Sequence, residues 1–399
     1  MAIKLLIGGS PCQRWSVAQN KNNRETKAEG LGWELFRNYL IAKEKFQPDI
    51  FLYENNKSAS QAIKDQIAEE LGVGTDPNAR FTYINSSLVS AQNRQRFYVT
   101  NFGDITQPED RGILLKDILE PGAIGDQLDR EKTRTITAGY TVCSQRDLRM
   151  DIETDGFMGK QGAIEPVNTT NNDNVIMPIR IGCYPSPDGT LKNGQAMRLY
   201  SPEGKSVNLT ANGGGLGAKT GLYAIPVEFE NDIPTKAVSC TDGKTYTVYE
   251  VKDGYITIKG KQYPIKLADG YYIIRKLTVT ECCRLQTLPD DYMKAVSPSQ
   301  AYKGLGNGWT AEVIIHLLEH ALKDVPRDEE ITVLSMYDGI GTGMYCLKKM
   351  GFTNIKYYAY EIDEYAKTVA KDNHPEIIHC GDAYDVRNED WRLPECLDD

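Results

Sequence analysis

Cys12 stands in Gly9-Ser10-Pro11-Cys12-Gln13, directly after a short apolar run at 3–7. A lone cysteine is more often a small buried hydrophobe than a nucleophile. Glycines before it and polar residues after it favour an exposed thiol, able to attack as its thiolate. Glu54 ends a second apolar run at 50–53, and two neighbouring strand ends place a thiol and a carboxyl in one crevice. Its bland reading is an ordinary loop carboxylate. Gln92-Asn93-Arg94-Gln95-Arg96 alternates arginines at a strand start, and rigid guanidinium forks suit phosphates or base edges. A solvated basic edge strand would carry the same pattern.

A further constellation lies near the C-terminus. Tyr337-Asp338-Gly339-Ile340-Gly341-Thr342-Gly343 closes an apolar run and opens an amphipathic stretch through Leu347. Glu361 ends the next apolar run, at the interval of about 20 residues that suits a ribose diol. Asp382 closes another. The spacing is GxGxG, not GxGxxG, which fits an adenosine-type cofactor without a pyrophosphate better than a dinucleotide. The alternative is a tight turn in some other α/β protein.

The elements around these residues follow from periodicity. Strands are expected at 3–7, 50–53, 81–84 and 96–100. A helix carries Trp33, Phe36, Leu40 and Phe46 and stops at Pro48, and a polar helix covers 58–71. From 103 to 275 helical periodicity fades. Asp188-Gly189, Asp242-Gly243, Asp253-Gly254 and Asp269-Gly270 there predict hairpins. Residues 132–138 weakly echo 205–211. Helical patterning returns over 277–322, a charged linker spans 324–330, and strands at 331–337, 355–360 and 377–380 complete a βαβαβ half of a doubly wound sheet.

Composition narrows the class. With 399 residues, 40% hydrophobic and 25% charged, two or three globular domains are expected. No apolar run reaches the ~20 residues of a membrane span, and no secretory signal is evident. Nine scattered cysteines without a CxxC pair indicate reduced thiols in a cytoplasmic setting. The net charge of −9 argues against nucleic acid, but residues 1–102 carry +3 while 331–399 carry −6. Two patterns are read as decoys. His316-Leu317-Leu318-Glu319-His320 has a zinc-peptidase spacing on a helix with no other metal ligand, so no metal is expected. The stretch from Gly213 to Thr220 lacks the glycine a phosphate loop places before its lysine.

Taken together, the segments resemble the cytosine-C5 DNA methyltransferase family. Pro11-Cys12 is similar to its catalytic motif IV, Glu54-Asn55 to its Glu-Asn-Val motif, and Gln92/Arg94/Arg96 to its QxRxR motif. Leu277-Thr278 with Glu281, Gln286 and Pro289-Asp290-Asp291-Tyr292 resembles motif IX, and Gly306-Asn307 motif X. Ser335 to Gly343, Glu361 and Asp382 resemble motifs I to III, in a wording similar to the animal de novo branch. Motifs I–III normally come first. Here they follow motif X, which implies a circularly permuted chain with Met1 and Asp399 close together. Asn56 stands where the family usually has Val.

The resemblance implies an α/β fold: a Rossmann-like methyltransferase domain formed by both ends of the chain, with a β-rich target-recognition domain. The expected division is 1–102 as catalytic half, 103–275 as target recognition, 276–330 as return and linker, and 331–399 as cofactor half. Cys12 would attack C6 of a flipped-out cytosine, with Glu54, Arg94 and Arg96 completing the catalytic set. S-adenosyl-L-methionine would lie on Tyr337, Asp338, Gly339, Ile340, Gly341, Thr342, Gly343, Glu361, Ile362, Asp382 and Ala383, bordered by Pro11 and Asn307. Gln13, Ser16 and Gln92 would face double-stranded DNA. A monomeric bacterial or phage enzyme is implied, solitary or half of a restriction-modification pair. A tRNA methyltransferase and a non-catalytic homologue are the alternatives.

Overall fold

The computed structural model describes residues 2–16, 23–120, 124–125, 176–211, 216–227, 236–239 and 245–394. The echo at 132–138, the Asp242-Gly243 turn, the glycines at 213–215, and Met1 and Asp399 lie outside the described residues. The chain divides into two units: Met1–Leu119 with Met177–Tyr223 and Lys276–Asp399, and Glu120–Ile176 with Ala224–Arg275.

Seven strands form one sheet in the first unit: β1 (Ile3–Gly8), β2 (Ile50–Asn56), β3 (Arg80–Asn85), β4 (Gln95–Thr100), β5 (Ile331–Met336), β6 (Ile355–Tyr360) and β7 (Ile378–Gly381). Their order is β7-β6-β5-β1-β2-β4-β3. β1 lies between β5 and β2 and is parallel to both, with Ile3 beside Ile331 and Gly8 beside Met336. β4 runs antiparallel to β2 and β3, so its first residues begin at the edge where β1, β2, β5, β6 and β7 end. In open parallel sheets that carboxyl edge is where ligands bind.

Helices α1 (Gly30–Phe46), α2 (Gln61–Glu70), α3 (Val279–Leu285), α4 (Pro298–Asn307), α5 (Ala311–Leu322), α6 (Thr342–Lys349) and α7 (Glu364–Asn373) belong to the same unit. α1 buries Phe36, Tyr39, Ala42 and Phe46, at helical spacing, against Phe51, Tyr53 and Phe97. The Tyr53 ring meets Phe36 and Tyr39 nearly edge-on at 5.1 and 5.0 Å, a favoured aromatic geometry. The stretch expected to be helical over 277–322 contains three helices. Thr278 caps α3 with a reciprocal Glu281 contact, Pro298 opens α4, and Gly308 ends it. Among the described residues, no helix is long and apolar enough to cross a membrane.

The second unit contains antiparallel strands at Thr245–Lys252, Tyr255–Ile258, Lys261–Pro264 and Gly270–Arg275. Asp253-Gly254 makes a hairpin turn with φ of 52° and 76°, the left-handed pair that tight hairpins need. Asp269-Gly270 does not. It opens the strand that returns to Thr245–Lys252, and the Asp269 carboxylate accepts the Asp253 N–H at 2.9 Å. The hairpin falls instead at Lys259-Gly260, where a lysine adopts φ 51° and so leaves no compositional signal. In the first unit, Asp188-Gly189 is a turn inside the long connection between Ile179–Cys183 and Arg198–Ser201.

Residues 103–119 and Met177–Tyr223 belong with the first unit, so the division does not follow the 103–275 boundaries. Lys205 supplies one physical reason. It is 1% exposed, and its ammonium donates to the carbonyls of Ser87 (2.7 Å), Ser90 (3.1 Å) and Ile113 (2.5 Å). Ser206 N–H also donates to the Ala91 carbonyl at 2.6 Å. Lys205→Met keeps the aliphatic stem but leaves three carbonyls without a donor. We expect it to lower the unfolding free energy by about 2–4 kcal/mol in urea titration; a change below about 0.5 kcal/mol would contradict the clamp.

Candidate active site

β1 ends in Gly8-Gly9, and the chain then crosses over the end of β2. A Cβ at Gly9 would stand 2.5 Å from the Glu54 carbonyl oxygen and 2.9 Å from Glu54 Oε2, so only glycine permits this approach. Asn55, fully buried, fastens the crossing: its amide donates to the Ser10 carbonyl (2.9 Å) and the Tyr53 hydroxyl (3.0 Å). The Ser10 and Tyr53 hydroxyls share a 2.7 Å hydrogen bond. Cys12 then opens a single 3-10 turn, Cys12–Arg14, and its carbonyl accepts from Trp15 and Ser16 N–H at 3.0 Å. Burial pushes the Cys12 thiol up, the Arg96 and Arg94 cations pull it down, and Glu54 raises it, with burial prevailing.

Glu54 receives two donors. Arg96 Nε reaches Oε1 at 2.8 Å and Trp309 Nε1 reaches Oε2 at 3.0 Å. Arg96 is placed by the antiparallel start of β4, where it pairs with Asn56. Arg94 is 3% exposed and turns elsewhere. It donates to the carbonyls of Gly308 (2.6 Å) and Gly306 (3.3 Å) and to Asn208 Oδ1 (2.9 Å). Burial and Arg96 lower its pKa to about 9, which leaves it a cation at neutral pH. Asn56 serves the chain locally: its side-chain oxygen accepts the Ser58 N–H at 2.9 Å on the way into α2.

The expected DNA-facing residues separate. Gln13 and Pro11 are exposed and Ser16 half-buried. Gln92 is fully buried, and neither end of its amide has a partner among the described residues. It cannot touch DNA from that position without a rearrangement. Beside β3, the ammonium groups of Lys57 and Lys64 stand 5.2 and 5.5 Å from the exposed Tyr83 ring. Trp309 and Asn208 join the site from outside the motif residues. The sole sequence signal for Trp309 is an aromatic residue directly after Gly306-Asn307-Gly308.

The glycine-rich turn after β5 lies two strands from β2. Tyr337 adopts φ 61°, and Gly339 and Gly341 adopt 67° and 79°. A left-handed tyrosine costs about 1–2 kcal/mol. Its hydroxyl is held by Asn38 Nδ2 (3.1 Å) and donates to the Leu35 carbonyl (2.7 Å). Asp338 Oδ1 accepts from Ser335 (2.7 Å) and Tyr357 (2.6 Å), while its buried Oδ2 has no partner among the described residues. Burial, with Glu361 nearby, raises Asp338 to about 6. Buried Thr342 Oγ1 is also without a partner there. Glu361 accepts from the N–H groups of Gly339 (2.9 Å), Ile362 (2.9 Å) and Asp363 (2.7 Å). Ile362, just past the end of β6, is 68% exposed. Asp382 caps the turn Ala383–Arg387 and Ala383 is buried, while Asn307, at the end of α4, is exposed. An orphan carboxylate oxygen, an acid at a strand end and an exposed apolar side chain suit an amino acid, a ribose and a flat ring respectively.

The two histidines of the zinc-like pattern pack on one loop. His316 Nε2 donates to the Thr106 carbonyl at 2.7 Å, and His320 Nδ1 to the His316 carbonyl at 2.8 Å. Among the described residues, no cluster of three or more metal-ligating side chains exists.

Known proteins bear on this arrangement. The sequence model of the C-5 cytosine-specific DNA methylase family matches residues 1–323. The chain is similar to the orphan methyltransferase M.SPRI of Bacillus phage SPR, 24% identical over 372 residues, covering 78% of this chain and 80% of that protein. It is also similar to the type II methyltransferase M.HhaI of Haemophilus parahaemolyticus, 24% identical over 330 residues, covering 79% and 73%. Among solved structures, the Entamoeba histolytica methyltransferase EhMeth aligns at 13% identity and TM-score 0.42 over 81% of this chain and 78% of its own. Because the family match spans most of the chain, including Cys12, Glu54 and both site arginines, the protein belongs to the C-5 cytosine-specific DNA methylases and is a methyltransferase.

Proposed function

We propose that the protein methylates C5 of cytosine in duplex DNA with S-adenosyl-L-methionine, through a covalent bond from Cys12 to C6. The observation that carries this reading is Cys12 beside Glu54, whose two oxygens are held by Arg96 and Trp309. C5 is buried in the base stack, so the cytosine must be flipped out, at a cost of a few kcal/mol. Cys12 Sγ adds to C6 as thiolate. Glu54 takes up the proton that Cys12 releases, meets N3 and the exocyclic amine, and passes that proton to N3 as electron density moves into the ring, leaving C5 nucleophilic. S-adenosyl-L-methionine supplies the methyl group. Loss of the C5 proton to solvent and return of the N3 proton to Glu54 then expel Cys12 and restore the ring. Because burial holds the thiol up, its deprotonation is coupled to attack on the base.

The residues after β5 fit the cofactor. Asp338 Oδ2 would receive the methionine ammonium, Glu361 the ribose hydroxyls, Ile362 the adenine face and Asp382 the adenine amine. Lys57, half-buried and with no carboxylate ion pair among the described residues, suits a DNA phosphate. We read the chain as circularly permuted. The family match ends at 323, and the strand that completes the cofactor half, β5, pairs beside β1. We assign target recognition to Glu120–Ile176 and Ala224–Arg275, the unit outside the catalytic body. Bacterial and phage relatives favour a bacterial cytoplasm, in a solitary or restriction-paired role.

The deciding experiment is transfer of labelled methyl groups into unmethylated genomic DNA and into tRNA, with base-resolution mapping. 5-Methylcytosine within one short DNA motif is expected, and label confined to tRNA would overturn the DNA reading. Cys12→Ala should abolish transfer while leaving DNA and S-adenosylhomocysteine affinity within about twofold, and retained turnover would reject the nucleophile. Glu361→Ala should weaken S-adenosylhomocysteine binding at least about tenfold in calorimetry with DNA affinity unchanged; equal affinity would reject the ribose assignment. Asp338 adds a pH dependence. Below about 6 it is protonated and cannot pair with an ammonium, so S-adenosylhomocysteine affinity should rise from pH 5 to 7 and flatten above. A flat profile across that window would remove Asp338 from the site.

A further inference from the structure

The geometry points to Trp309 as a positioning residue for the acid Glu54, with Arg94 and Asn208 setting the turn that carries it. The inference rests on the reading of Glu54 as the acid that serves cytosine.

A carboxylate held at one oxygen still pivots about its own bonds. Arg96 takes Oε1 at 2.8 Å, and Trp309 Nε1 takes Oε2 at 3.0 Å, which fixes the plane of the group. An indole N–H donates and never accepts. Trp309 therefore orients Glu54 without competing for the proton that Glu54 must deliver.

The turn beneath the indole is fastened on both sides. Gly308, just before Trp309, offers its carbonyl to Arg94 (2.6 Å) and Gln286 (3.3 Å). Thr310, just after it, donates its hydroxyl to Gln286 Oε1 at 2.9 Å. Arg94 also holds the Gly306 carbonyl, and its other terminal nitrogen is fixed by Asn208 at 2.9 Å. Gly306 lies flush on this segment, where a Cβ would overlap the Thr210–Ala211 peptide. Arg94 has no ion pair among the described residues, so its buried charge is spent on carbonyls and one amide oxygen. The two arginines, two residues apart, thus hold opposite oxygens of one carboxylate: Arg96 directly, Arg94 through Trp309.

The test is a double-mutant cycle on the full-length protein, with single-turnover methyl transfer to DNA and separate kcat and KM. Trp309→Phe keeps an aromatic ring and removes the donor. It should lower kcat about 10- to 100-fold, the range of one hydrogen bond to a charged group, with KM for DNA within twofold. Asn208→Ala, remote from the reacting atoms, should lower kcat less. The double variant should be no slower than Trp309→Phe alone, because Asn208 acts through the indole. A merely structural role predicts multiplied losses and raised KM, and either result overturns the proposal. So does a Trp309→Phe rate within twofold of wild type. If Trp309→Phe fails to fold by thermal denaturation, Asn208→Ala decides: unchanged kcat overturns the proposal and reduced kcat at constant KM supports it. Glu54→Gln is the control on the premise. Loss of transfer there together with a silent Trp309→Phe rejects the inference alone, whereas an active Glu54→Gln rejects the acid assignment and the inference with it.

Discussion

β1 has a neighbour on each side, and the two neighbours come from opposite ends of the chain. Its parallel register with β5 brings Gly8 level with Met336, and its register with β2 brings Gly8 level with Tyr53. A one-residue slip would turn Leu5 and Ile7 to the opposite face and exchange them with Leu6. It would also lift Cys12 away from Glu54. The thiol, the carboxyl and the glycine-rich turn therefore share one edge because three buried strands agree in register. A Cβ at Gly8 would stand 2.5 Å from the Met336 carbonyl oxygen, so a slip that brought Ile7 to that place is blocked and the agreement is enforced.

At that edge the site sets burial against charge. Burial alone would leave Cys12 inert. The nearby arginines offset part of the cost, and Glu54 works against them. Glu54 neutralises Arg96 directly, so the cations help the thiol less than their number suggests. A raised thiol has a smaller thiolate fraction, the form through which oxidation proceeds.

Much of the frame was legible in the sequence. Short apolar runs ending in Gly, Glu or Asp marked β1, β2, β5, β6 and β7, because a buried parallel strand needs a continuous apolar run and a polar exit. Cys12, Glu54, Glu361 and Asp382 stood at those exits. The partners that hold the site were not legible. Trp309 is 255 positions from Glu54 and Asn208 is 114 from Arg94, and no periodicity connects them. Alternation placed Gln92 with Arg94 and Arg96, yet β4 begins only at Gln95, and Gln92 packs inward against Ser206. The turn at Lys259-Gly260 was hidden because lysine there adopts a conformation that composition assigns to glycine or asparagine.

Lys205 bears on how such a protein can diversify. The segment it anchors lies in sequence between the two parts of the second unit, Glu120–Ile176 and Ala224–Arg275. Each part can be exchanged or lengthened on its own, since both of its junctions return to a tethered segment. Exchange of the whole stretch as one cassette would pull the ammonium from Ser87, Ser90 and Ile113 and the amide oxygen from Arg94. Changes in the second unit are therefore accommodated as two separate, shorter replacements around a retained Met177–Tyr223, a constraint set by one buried cation.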